Sequence, residues 1–153
     1  MTTATTSNAA LDRCSRLVLL LVLCFGAQHA TAQDHLVQHP IKAIVKGLKP
    51  TGRSVLFVSL LDEQGRMVQS QQVPVTALAM AVGFEPAHPG RYAIRLFQDE
   101  NGNGELDLGL FKIPKEGVGC SNNAKGVMSA PALKDMLFDL KAPMVLTIDM
   151  SYY

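Results

Sequence analysis

Between Asp99 and Asp107 the chain reads Asp-Glu-Asn-Gly-Asn-Gly-Glu-Leu-Asp, so oxygen-bearing side chains alternate with glycines directly after an apolar, alternating stretch. Calcium takes about six to eight hard oxygen ligands, and alternation within a tight, glycine-containing turn aims successive side chains at one centre. Asp99, Asn101, Asn103 and Asp107 fall at positions 1, 3, 5 and 9 of an EF-hand-type loop, with Gly104 at the bend. Glu105 stands at position 7, where its backbone carbonyl is the expected ligand. Leu110 occupies position 12 in place of the bidentate glutamate, and no helical periodicity flanks the loop, so this is not an EF-hand. With Asp99 and Asp107 as the carboxylates and Glu116 as an outside donor, the expected calcium site is weak, with Kd of about 10⁻⁴ to 10⁻³ M. Asn-Gly pairs also supply left-handed turn residues, so the same run serves as a metal-free turn.

Other reactive side chains are sparse. Ser121 lacks a glycine-flanked elbow, His88 lies in the turn Glu85-Pro86-Ala87-His88-Pro89-Gly90, and no spacing sets a base beside a nucleophile. Cys120 reads first as a small buried residue, with an intermolecular disulfide or a thiolate paired with His88 as the alternatives.

The elements that must carry the loop are strands. Ile41 to Leu48 alternates; Arg53 to Leu61 is continuously apolar and belongs in a sheet centre; Met67 to Val73, rich in glutamine, belongs at an edge. Val75 to Phe84 reads as a strand on the period of two kept by Val73, Val75, Ala77, Ala79 and Ala81. Arg91 to Gln98 puts Tyr92, Ile94 and Leu96 on one face. After a long loop from Asp99 to Pro131, Ala132 to Leu140 and Met144 to Tyr153 complete seven strand candidates. Hairpin turns and the near absence of helical pattern predict an antiparallel β-sandwich, immunoglobulin-like or transthyretin-like, with a small closed barrel as the alternative.

Residues 1–32 combine Arg13 and Arg16, the apolar run Leu17 to Phe25 and the small-x-small end Ala30-Thr31-Ala32, the pattern of a cleaved secretory signal. The apolar run is far shorter than the roughly 20 residues that span a bilayer, so no transmembrane span is expected in the mature protein. The expected product is therefore a flexible lead over residues 33–40 and one domain over 41–153, periplasmic or secreted. Cleavage removes Arg13, Arg16 and Asp12, which takes the net charge from +1 to zero. A neutral chain has no electrostatic claim on nucleic acid. Cys14 and Cys24 leave with the signal, and Cys120 then has no intrachain disulfide partner.

The run DENGNGELD, followed by IPKEGVGCSNNAKG and a terminal strand ending in aromatics, resembles the exported bacterial family catalogued as domain of unknown function 2141. The resemblance covers roughly Ile41 to Tyr153, although members of the family typically carry an aromatic where Cys120 stands and a glycine where Lys112 stands. It implies an exported β-sandwich and supplies no catalytic residues. The loop is also similar to calcium-bearing loops in the β-sandwich repeats of bacterial surface adhesins. The expected function is non-enzymatic: a binding or structural role in the cell envelope toward an envelope or extracellular macromolecule, with a weak calcium-stabilised loop. A carrier holding a small apolar ligand between Met80, Phe84, Met136 and Phe138 is the first alternative, and a Cys120-dependent hydrolase the second.

Overall fold

Alternation of apolar and polar residues fixes which side of a strand is buried, and the described residues form eight strands: β1 (His39–Lys46), where the alternation is clearest, β2 (Val55–Asp62), β3 (Met67–Pro74), β4 (Ala79–Ala87), β5 (Gly90–Asp99), β6 (Gly117–Cys120), β7 (Phe138–Leu140) and β8 (Met144–Asp149). The computed structural model describes residues 37–126 and 130–153, so the signal segment, Cys14, Cys24 and the start of the lead lie outside the described residues. One sheet has the order β4-β1-β8; the other has the order β3-β2-β5-β6, with β7 on the same edge of β5 as β6. All pairings are antiparallel except β1 with β8, which run parallel. The fold is a β-sandwich, as the sequence predicts; the two sheets are not joined into a closed barrel.

The core lies between the sheets. Ile41, Ala43 and Val45 of β1 meet Leu56, Val58 and Leu60 of β2, Ile94 and Leu96 of β5 and Ile148 of β8. Full burial of side chains of this size contributes about 1.5–3 kcal/mol each. Strand β2 is internal to its sheet and β3 is an edge, as their compositions predict. The glutamines of β3 do more than tolerate solvent. Gln69 accepts from the Glu85 N–H and donates to its carbonyl, and Gln71 donates to the Gly83 carbonyl, so β3 side chains satisfy the outer backbone groups of edge strand β4.

Three expectations change. The strand expected over Val75 to Phe84 begins only at Ala79, and Val82 and Phe84 face inward while Ala79, Ala81 and Gly83 are exposed. After Pro74 the chain turns at Val75, whose N–H reaches the Ser54 carbonyl, and this resets the alternation. The segment Ala132 to Leu140 starts with one helical turn, α1 (Leu133–Met136), and only Phe138–Leu140 pairs as strand. The long loop contains β6, a glycine-rich strand whose short length hides its periodicity. In addition, Met80, Phe84 and Phe138 pack in the main core, whereas Met136 lies in a second cluster with Leu61, Ala93 and Cys120, so the four proposed cavity residues do not surround one space.

The second cluster sits on the outer face of the larger sheet. Leu61 and Ala93 are cross-strand partners and neighbours in sequence of the core pair Leu60 and Ile94, so they point the opposite way. Cys120, Ala124, Leu133, Met136 and Leu137 pack over them. Ser121, fully buried, pins that cover: its hydroxyl donates to the Met136 carbonyl and accepts the Ile94 N–H.

The C-terminal residues lock the other side of β6. Ser151 and Val118 exchange backbone hydrogen bonds, and the single Tyr152 O–H is shared between the Gly47 carbonyl at 2.9 Å and Gln98 Oε1 at 3.1 Å. Gln98, fully buried, also accepts the Lys49 N–H and donates to the Lys49 carbonyl. The Lys49 ammonium stands 3.4 Å from the centre of the Tyr152 ring and 3.7 Å from Glu100. Burial, with the Glu100 charge adding to it, pushes the Tyr152 hydroxyl up to about 12.

This crossing leaves no room for a side chain at Gly117. A Cβ on Gly117 falls 2.6 Å from the Tyr152 ring and 2.9 Å from Met150 Cε. Gly117→Ala should therefore destabilise the fold by about 1–3 kcal/mol through overpacking. In a urea-melt double-mutant cycle the cost should shrink when Tyr152 is also alanine; equal costs in both backgrounds would show that the ring is not the obstacle.

Candidate functional site

Asp99 is the last residue of β5, an internal strand of its sheet; its carboxylate is directed inward, and the following loop wraps around it. Asp99 is 1% exposed. Its Oδ1 accepts the N–H groups of Gly102 at 2.6 Å and Asn103 at 3.3 Å, and its Oδ2 accepts that of Gly104 at 2.7 Å. Gly102 and Gly104, at φ of 80° and 83°, supply the left-handed bends that turn those N–H groups inward. Burial alone would raise the carboxyl's pKa, but the backbone donors of Gly104, Gly102, Asn103 and Asn101 outweigh it and hold Asp99 below the ordinary carboxylate value.

The remaining candidates form a second tier. Asn101 Oδ1 accepts the Asn103 N–H at 2.9 Å, and Asn103 Oδ1 accepts the Glu105 N–H at 2.8 Å. Their amide nitrogens both donate to Asp107, at 2.6 and 3.3 Å. Glu116, 4% exposed, closes the base: Oε1 accepts the Glu100 N–H at 2.8 Å and Oε2 the Asp107 N–H at 3.1 Å. The structure thus gathers Asp99, Asn101, Asn103, Asp107 and Glu116 in one network, while Glu105 is exposed and enters it through its backbone N–H. In this arrangement the side-chain oxygens of the network are turned toward N–H donors. Among the described residues no group of three or more His, Cys, Asp and Glu side chains is placed to hold a metal ion.

The other reactive residues are also engaged. Cys120 is buried, its thiol donates to the Ala124 carbonyl, and burial pushes it up from the ordinary thiol value despite that bond and the Arg95 charge. His88 is exposed and pairs with Gln38 at 3.3 Å. Asn122 and Asn123 adopt left-handed conformations in a turn that ties the excursion to both neighbours: Asn122 donates to the Asp135 and Leu137 carbonyls, and Asn123 accepts the Asp149 N–H.

Sequence reasoning missed the segment between the loop and β6. Asp107 to Lys115 folds back as a tight hairpin closed by a Leu108–Pro114 bridge, with Leu110 and Phe111 at its tip 83% and 86% exposed. A signal was available: Leu-Gly-Leu-Phe-Lys-Ile-Pro-Lys is an acid-free, mainly apolar run set between acidic residues.

Because Asp99 is depressed in the fold, its contribution to stability is present above the unfolded carboxylate value near 3.8 and is lost as pH falls through the lower folded value. Asp99→Ala leaves the Gly102 and Gly104 N–H groups without their acceptor, while Asn103 keeps Asn101, and should cost about 2–3 kcal/mol at neutral pH. The penalty, read from urea melts, should fade as pH is lowered below 3.8; a penalty unchanged on acidification would remove the carboxylate from the account.

No curated protein and no solved structure matches the chain. The family model described as "Uncharacterized protein conserved in bacteria (DUF2141)" matches residues 56–147, from within β2 into β8, and so takes in the Asp99 loop, the hairpin, β6 and the outer-face cover. That span is more than half of the chain, and the protein belongs to this uncharacterized bacterial family.

Proposed function

We propose that the protein is a non-enzymatic, exported β-sandwich that acts by binding in the cell envelope, through the surface built between β5 and β7. The observation that carries this reading is how the reactive groups are used. Asp99 and Glu116 hold backbone N–H groups, Ser121 pins the outer-face cover, and the Cys120 thiol is buried and bonded to a carbonyl. A loop whose acids are committed to its own backbone is a rigid platform.

Export is supported by the pattern over residues 1–32. Expressed with a C-terminal tag in a bacterial host, the protein should be recovered from the periplasm or medium with its N-terminus at about Gln33. Full-length protein confined to the cytoplasm would count against the reading. Cys120→Ala should leave the fold and any recovered binding intact, whereas loss of a turnover reaction in that variant would favour the hydrolase.

Calcium is a second reading, favoured by the Asp99, Asn101, Asn103 and Asp107 series in one loop. A cation entering there must displace the asparagine amides from Asp107. With Kd of about 1 mM, calcium at about 10 mM adds roughly 1.4 kcal/mol by mass action, a rise of several degrees in Tm. Magnesium at the same ionic strength should do less, and identical melts in calcium and chelator would leave the loop to its hydrogen bonds.

A further inference from the structure

The hairpin from Asp107 to Lys115 presents features that the sandwich does not need. Leu110 and Phe111 are 83% and 86% exposed, and Leu108 and Ile113 about half so, in a row of neighbouring positions. Large apolar groups gathered in this way at a protrusion mark an interaction surface. The tip is also strained: Phe111 and Lys112 take φ of 60° and 59°, with the Ile113 N–H closing on the Leu110 carbonyl, which is turn geometry suited to Asn and Gly. The same chain uses asparagines at the equivalent places in its Asn122-Asn123 turn. At the hairpin, side chains that pay for a left-handed backbone are kept where they have the most solvent around them.

We propose that this hairpin is a membrane-docking finger for a bilayer surface rich in anionic lipid. Three observations select that occupant. First, the finger is convex, and an apolar protrusion enters the acyl boundary without needing a matching groove. Second, its backbone is prepared for a dry environment: the Gly109 N–H reaches the Ile113 carbonyl at 2.7 Å, the Lys115 N–H reaches the Asp107 carbonyl at 2.9 Å, and Pro114 has no N–H to satisfy. Third, residues 108–115 carry Lys112 and Lys115 and no acid, in a chain that is otherwise near neutral. Exposed lysines beside the apolar tip lie where headgroup phosphates would sit, their stems long enough to keep the ammonium at the interface. The acids at the finger's root, Asp107 and Glu116, are occupied by N–H donors. Glu116 and β6 hold that root to the sheet, so the tip is presented by a fixed base.

The inference rests on the exported binding reading, but the two fail separately: export is read by fractionation, the finger by purified protein with vesicles. The chain contains no tryptophan, so Phe111→Trp is a single reporter. With vesicles of equimolar phosphatidylglycerol and phosphatidylcholine, its emission should shift to the blue and be quenched by brominated acyl chains; an unshifted spectrum overturns the proposal. In co-sedimentation, Leu110→Ser with Phe111→Ser should weaken binding at least ~10-fold. Lys112→Gln with Lys115→Gln should weaken it roughly 10-fold and flatten its salt dependence. Binding unchanged by the serine pair overturns the proposal, as does self-association lost in that variant without vesicle binding, which would make a second copy the partner. The reporter spectrum decides the matter if the serine variant melts early.

Discussion

Two buried carboxylates govern the architecture of this protein. Asp99 ends β5 and Glu116 precedes β6, and between them they accept the N–H groups of Glu100, Gly102, Asn103, Gly104 and Asp107. A buried backbone N–H without an acceptor is costly, and a loop that leaves a sheet edge has several to place. The carboxylates solve that problem with charge-assisted bonds, which are stronger than neutral ones. With the loop fixed, β6 can lie against β5, and everything that packs on β6 follows.

What packs on β6 comes from distant parts of the chain. Gly117 and Gly119 open the space through which Met150, Tyr152 and Ile148 approach, and Tyr152 reaches across to Gly47 and Gln98. The C-terminus, the β1–β2 connection and the β5–β6 excursion therefore meet at one end of the sandwich. On the outer face of the sheet, Cys120, Ala124 and the residues of and beside α1 cover Leu61 and Ala93, while Phe57 and Phe97 stack at 4.6 Å and remain half-exposed. The outer face of the sheet is thus covered at Leu61 and Ala93 and left half-exposed at Phe57 and Phe97.

The functional consequence is a separation of roles along a single excursion. Its first part is a hydrogen-bonded loop rich in acids, its middle is an exposed apolar and basic hairpin, and beyond β6 Cys120 and Ser121 are buried against the outer face of the sheet. Rigid flanks on both sides of an exposed tip are what a binding surface requires, since ordering cost falls when the scaffold is already fixed.

Much of the fold was legible because strand periodicity is local: Tyr92, Ile94 and Leu96 face the core as their spacing says, and the polar β3 is an edge. The sequence by itself determined the strand-rich class, the acidic turn after β5 and its glycine bends, since these depend on neighbouring residues alone. Only the tertiary structure decided the rest. The parallel pairing of β1 with β8 joins residues about a hundred positions apart, and the start of β4 was displaced by the Val75 to Ser54 bond. The same holds for the opening loop: side-chain oxygens at calcium-like spacing are equally good acceptors for N–H groups. Which partner they face is set by how the backbone closes around them, and spacing carries no record of that closure.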